Sequence, residues 1–203
     1  MREMVIATRN CGKAAEIADA LAALPVRFLT LDEFAGVGEV EENGDSLAAN
    51  AVLKATRYAL ATGKACLADD SGLEVDALGG APGVRSARYA GPGASDAACN
   101  AKLLAALAAV PADERTARFR CVLAYVDRSG TLFTAEGVCE GVILGEPRGT
   151  GGFGYDPLFF VPSLGKTMAE LAPTEKNAVS HRGHALRNMA AILAEHFREN
   201  RRS

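Results

Sequence analysis

Ala65-Cys66-Leu67-Ala68-Asp69-Asp70-Ser71-Gly72 is the stretch on which the reading of this chain turns. Four apolar residues predict a short buried strand over 65–68, and two carboxylates stand at its end. Burying an ionised group without a partner is costly. Adjacent carboxylates also repel one another unless a cation or a proton lies between them. A hard cation with oxygen ligands, such as magnesium, suits that place. Asp-Asp-Ser-Gly is equally ordinary turn chemistry. The segment by itself therefore leaves a metal-assisted site and a plain surface turn both open.

Upstream of this stretch, Asp45 or Ser46 is placed to cap a helix running to about residue 61, ended by Thr62-Gly63. Earlier still, residues 4–7 and 26–31 predict strands, and 13–24 shows helical spacing that stops at Pro25. Downstream, 79–93 is a glycine- and proline-rich ordered loop that carries Arg85 and Arg88. Residues 94–110 predict a helix. Residues 117–127 and 132–144 predict strands joined by the turn 128–131. A second glycine-rich loop covers 145–156, followed by a short strand at 158–161, a helical turn at 168–172 and a terminal helix at 181–198. This order predicts an α/β fold: two lobes around an elongated mixed β-sheet with flanking helices, and a central cleft between the glycine-rich loops. With no linker composition anywhere, 1–203 is expected to be a single domain.

The 203 residues are 49% hydrophobic and 23% charged, the balance of a soluble globular chain. A net charge of −3 with interspersed signs argues against a nucleic-acid polymer as partner, which needs a basic face. It leaves room for a local phosphate pocket. No stretch approaches the ~20 apolar residues of a spanning helix, so no membrane partner is expected. The start of the chain is too short and too polar for a signal peptide. Cys11, Cys66, Cys99, Cys121 and Cys139 are scattered with no Cys-x-x-Cys pair, which reads as reduced thiols in the cytoplasm.

Several segments carry possible chemistry. Thr8-Arg9-Asn10-Cys11-Gly12-Lys13 joins a strand to a helix, where free backbone N–H groups and the helix dipole favour an anion. It is not a P-loop, whose pattern occurs nowhere in the chain. Glu41 and Glu42 precede the next helix, on which Asn50 and Lys54 share a face. Gly149-Thr150-Gly151-Gly152-Phe153-Gly154 has the spacing of a dinucleotide fingerprint, but Tyr155-Asp156-Pro157 follows where a helix is required. Its glycines fit a close backbone approach to something flat, with Phe153 or Tyr155 available to stack. Arg182 at the start of the last helix opposes the helix dipole, which points to a ligand for its planar fork.

Taken in order, these segments resemble the non-standard purine nucleoside triphosphate pyrophosphatases, the inosine and xanthosine triphosphate pyrophosphatase family. The resemblance rests on residues 8–13, 41–54, 68–72, 80–83 with 86–89, 149–157, and Lys176 with 180–183, and it covers nearly the whole chain. It implies hydrolysis between the α and β phosphorus atoms, with magnesium as cofactor, in a cytoplasmic homodimer that clears the nucleotide pool. At matching positions it implies Asp70 as general base and metal ligand, and Glu41 as the second ligand. Thr8, Arg9, Asn10, Cys11, Gly12, Lys13, Lys54 and Ser71 are expected around the triphosphate. Phe153, Gly154, Tyr155, Asp156, Lys176, His181 and Arg182 are expected around the base and sugar. Leu47 and Ala49 depart from the phenylalanine and glutamate that the family often has there, and Tyr155 stands where some members carry tryptophan. A pyrophosphatase for another base, or a nucleotide-binding module without catalysis, are the alternatives.

Overall fold

Met4, Val5 and Ile6 form an unbroken apolar run, and all three are buried. Such runs belong to parallel strands covered on both faces. The computed structural model, which describes residues 2–200, places them in β1 (Arg2–Ile6). β1 pairs in parallel with β2 (Val26–Thr30) and with β3 (Ala65–Val75), Met4 lying opposite Ala65 and Ile6 opposite Leu67. Between these strands run α1 (Cys11–Ala20) and α2 (Leu47–Thr62). The α2 ends follow the expected capping chemistry. The Ser46 side chain accepts from the Ala49 N–H, and Gly63 closes the helix at φ 63°, where other residues are strained.

After α3 (Asp96–Ala106), the strands β4 (Thr116–Val126), β5 (Leu132–Ile143), β6 (Phe159–Val161) and β7 (Lys166–Thr167) complete a seven-stranded sheet of order β2-β1-β3-β4-β5-β6-β7. β5, β6 and β7 pair antiparallel, so the sheet is mixed, as expected. α4 (Pro173–Val179) and α5 (His181–Glu199) close the chain. α4 and β7 were not anticipated. The signal for α4 is proline at its first position, where the missing N–H costs nothing. Among the described residues no helix is long and apolar enough to cross a membrane.

The chain divides into two compact units. The first comprises residues 1–70, 121–137 and 182–203, and its core gathers Met4, Ile6, Ile17, Leu21, Leu67, Leu123, Leu186 and Met189. The second comprises 71–120 and 138–181, with a core of Leu73, Val75, Leu103, Phe119, Ile143, Tyr155, Leu158 and Phe159. The chain first passes from one unit to the other between Asp70 and Ser71.

One expectation is corrected by β3. The strand predicted to stop at residue 68 runs through both aspartates to Val75. Its continuation buries Leu73 and Val75 completely, and the strand is backed by the loop after it. Ser86 Oγ accepts from the Leu73 N–H at 2.9 Å and donates to the Gly83 carbonyl at 2.6 Å. A Cβ at position 72 would overlap that carbonyl oxygen. Gly72→Ala is therefore expected to cost about 1–3 kcal/mol through overpacking. That is a fall in Tm of roughly 2–12 °C for a chain of this size. A thermal melt unchanged within a degree would show that the 83–86 loop yields freely.

Candidate active site

Successive residues of a strand point to opposite faces, and the adjacent aspartates obey this. Asp69 Oδ2 faces α1 and α5. It lies 3.0 Å from Lys13 Nζ and accepts from Arg182 Nε and Nη2 at 3.4 Å each. Arg182 Nη1 donates to Glu16 at 2.7 Å. Asp70 faces α2, where Lys54 Nζ lies 3.5 Å from its Oδ1 and 2.6 Å from Glu42. Asn50, wholly buried one turn before Lys54, hydrogen-bonds through its side-chain oxygen to the Gly44 N–H at 2.8 Å.

The two carboxylates are 2% and 7% exposed, yet their acidities are driven apart. Burial alone would raise both. For Asp69 the charges of Lys13, Arg182 and Lys54 overcome burial and hold the carboxyl well below the usual carboxylate range. For Asp70 burial prevails, assisted by the negative charges of Glu42 and Asp69 against the pull of Lys54, and the carboxyl is raised. Neighbouring acids pushed in opposite directions mark the assignment of roles in many hydrolytic sites. Asp69 is a permanent anion that holds two cations. Asp70 is a carboxylate with increased affinity for a proton.

The turn before α1 is ordered by its own side chains. Thr8 Oγ1 accepts from the Asn10 N–H at 3.2 Å, and Asn10 Oδ1 accepts from the Lys13 N–H at 3.0 Å. The Arg9 guanidinium reaches Asp32 and the Val37 carbonyl. Gly12 leaves little room beside Asn10, a Cβ there coming to 3.3 Å from Asn10 Oδ1. The side chain of Cys11 lies outside the described part. Glu41 is exposed; of the glutamate pair it is Glu42 that meets Lys54. From the expected set, the first unit thus pairs Lys54 with Asp70, while Lys13 and Arg182 are held by Asp69, Arg182 also by Glu16.

In the second unit the loop of residues 145–156 is built around Asp156. Its Oδ2 accepts from Lys176 Nζ at 2.6 Å and from the Phe153 N–H at 3.0 Å. Lys176 Nζ also lies 4.7 Å from the centre of the Phe153 ring. Gly154 is clamped by α3, its N–H donating to Asp96 at 2.6 Å and its carbonyl accepting from Asn100 at 3.0 Å. Tyr155 is buried and donates to the Ser86 carbonyl at 2.8 Å. The His181 ring stacks on Phe119, centroids 4.8 Å apart. Ser71 follows Asp70, half-buried.

Glu16, Asp96 and Asn100 were missed as partners, and Glu42 was read only as part of the acidic pair before the helix of Lys54. The readable signal was spacing: Glu16 lies three residues after Lys13, and Asp96 and Asn100 are four apart. Both pairs share a helix face.

Residues 4–192 match the sequence model of the Ham1 family. The chain belongs to the Ham1 family. A relative from Geobacter sulfurreducens, named a dITP/XTP pyrophosphatase, is 56% identical over 197 residues, 97% of each chain. One of the same name from Desulforamulus reducens is 55% identical over 191 residues, 94% of this chain and 95% of that one. Among solved structures, a HAM1 protein from Coxiella burnetii superposes with a TM-score of 0.90 at 47% identity, covering 96% of this chain and 100% of that chain. A Ham1 protein from Staphylococcus aureus gives 0.87 at 39% identity, with the same coverage. The Ham1 fold is therefore the fold of this chain.

Proposed function

We propose that this chain hydrolyses non-standard purine nucleoside triphosphates, ITP and dITP, XTP and dXTP, to the monophosphate and pyrophosphate. The observation that carries the reading is the adjacent carboxylate pair on β3, with Asp69 held by Lys13 and Arg182 and Asp70 beside Lys54. The names of the full-length relatives support the substrate class.

The chemistry follows from the residues. Water attacks the α phosphorus, a P–O bond forms, and the bond to the bridging oxygen breaks in line. Asp70 takes the proton, for which a pKa raised by burial suits it. Pyrophosphate leaves with the developing charge. Lys13, Lys54 and the N-terminal amides of α1 are assigned to offset it. Phe153, Asp156, Lys176 and His181 are assigned to the base and sugar, with Gly154 and Tyr155 in the same loop. Arg182 is assigned to the base side, its guanidinium held there by Asp69 and Glu16.

Magnesium is the proposed cofactor. Among the described residues no three His, Cys, Asp or Glu side chains are grouped to cage a metal ion. Magnesium keeps several waters and is bound through one or two carboxylates plus substrate phosphates. A buried Asp70 whose ionisation is disfavoured, with Glu42 negative beside it, fits a cation nearby. Asp70 and Glu41 would hold it, and it would neutralise charge on the phosphates. A cytoplasmic homodimer without nucleic-acid or membrane partners completes the proposal. Light scattering coupled to gel filtration tests the dimer.

Incubation with ITP and magnesium is expected to release pyrophosphate and IMP in equal amounts, with ATP and GTP turned over far more slowly. Pyrophosphate from no nucleoside triphosphate would overturn the reading. Equal rates on ATP would overturn the base preference while sparing the phosphate chemistry.

A further inference from the structure

Two rings of the 149–157 loop were candidates to stack on a base, and the structure treats them differently. Phe153 is 37% exposed, with Lys176 Nζ over its ring. Tyr155 is 5% exposed, and its ring belongs to the second unit's core with Leu73, Phe119 and Phe159. Its hydroxyl is spent inside the protein on the Ser86 carbonyl, 2.8 Å away. Ser86 is itself tied by its Oγ to Leu73 and Gly83. One residue thus joins the strand just past Ser71, the 83–86 loop and the glycine-rich loop.

We propose that Tyr155 is a positioning residue, anchored on Ser86, which seats the glycine-rich loop so that Phe153 and not Tyr155 offers its face to the purine. The loop has other ties on either side: Gly154 is held by Asp96 and Asn100, and Asp156 by Lys176. The Tyr155 hydroxyl is the tie between them, and it reaches the segment packed on β3. A ring whose edges are packed in a core has no face to give a base, whereas a half-exposed phenylalanine does. Lys176 Nζ, 4.7 Å from the ring centre, steadies the Phe153 ring. The assignment to a purine rests on the function proposed above; the assignment to loop seating does not.

Tyr155→Phe separates the two roles, because it keeps the ring and removes the anchor. If Tyr155 stacked on the base, the variant would behave as the parent. As a positioning residue, it is expected to lose about tenfold in kcat/KM for ITP, the worth of one buried hydrogen bond. The loss should appear in KM, with kcat within about twofold. Calorimetry should show IMP binding weakened by the same factor and pyrophosphate binding unchanged. Amide hydrogen exchange at Phe153 and Gly154 should quicken by about tenfold or more without any nucleotide present. Ser86→Ala, which keeps the carbonyl but releases it from Leu73 and Gly83, should show the same pattern in weaker form. Phe153→Ala should weaken IMP binding without quickening exchange across the loop. Unchanged exchange and unchanged IMP affinity in Tyr155→Phe would overturn the proposal, as would equal losses for IMP and pyrophosphate. Quickened exchange in a protein that releases no pyrophosphate from ITP would keep the seating role and overturn only the substrate reading.

Discussion

Asp70→Asn is expected to abolish turnover, leave ITP binding measurable, and raise the Tm of the metal-free protein at neutral pH. The first effect is the loss of the base: positioned proton transfer is worth about 10²–10⁴-fold, and the amide has the same shape but takes no proton. The second follows because Lys13 and Lys54 remain. The third has the sign of the acidity shift. Burial first, then Glu42 and Asp69, raise Asp70 above its ordinary value of 3.8. A carboxyl raised in the folded state opposes folding once it is ionised. The opposition is fully present above the folded-state pKa and vanishes below the unfolded value. Replacing the carboxylate by an uncharged amide removes it, so the gain in Tm should be largest at neutral pH and shrink on acidification toward 3.8. Magnesium should stabilise the parent more than the variant, since a ligand stabilises only what it binds. Near-normal turnover would show that another group takes the proton. A lower Tm at neutral pH would show that Lys54 outweighs burial and that Asp70 is an ordinary ion-pair partner.

How the site was and was not legible in the chain is clearest at this strand. The helix over α2 was readable at both ends because Ser46 and Gly63 act on their immediate neighbours. So was the α1 turn, where Asn10 and Lys13 meet within three residues. Local capping and turn chemistry are written locally. The extent of β3 was not readable. Asp69 and Asp70 look like a strand end because nothing nearby balances them. Their partners come from Lys13, Lys54 and Arg182, which lie 56, 16 and 112 or more residues away in the chain. With those charges in place a strand carries two carboxylates through its middle. Arg182 illustrates the same limit. Its position at a helix start correctly marked it as unusual, yet the carboxylates that hold it, Asp69 and Glu16, belong to other elements. Tyr155 and Phe153 were equivalent as letters. Only packing distinguishes the ring inside the core from the one at the surface.

Asp69→Asn is expected to do the reverse of the change one residue along. Asp69 is almost wholly buried and its Oδ2 meets Lys13 and Arg182, the latter also 2% exposed. Removing one partner from a buried ionic cluster costs about 3–5 kcal/mol, because the remaining charges stay in a poor solvent. For a chain of this length the expected fall in Tm is roughly 6–20 °C, and Glu16, which still holds Arg182 at 2.7 Å, places it toward the lower end. The pH dependence is fixed by sign. Burial would raise Asp69, but Lys13, Arg182 and Lys54 hold it far below its ordinary 3.8. A depressed carboxyl stabilises the fold fully above the unfolded value, and that stability is lost as pH falls through the folded one. The gap in Tm between parent and Asp69→Asn should therefore be constant from about pH 6 to 8 and close only well below pH 4, where acid melts compare the two directly. A gap that widened on acidification would mean that the folded chain binds the Asp69 proton more tightly than the unfolded one, so that its negative charge is not what orders Lys13 and Arg182. The opposite responses expected at positions 69 and 70 have one origin. A strand turns adjacent side chains to opposite faces, so the carboxylate facing two cations becomes a fixed anion and its neighbour, facing one lysine already shared with Glu42, stays available for a proton.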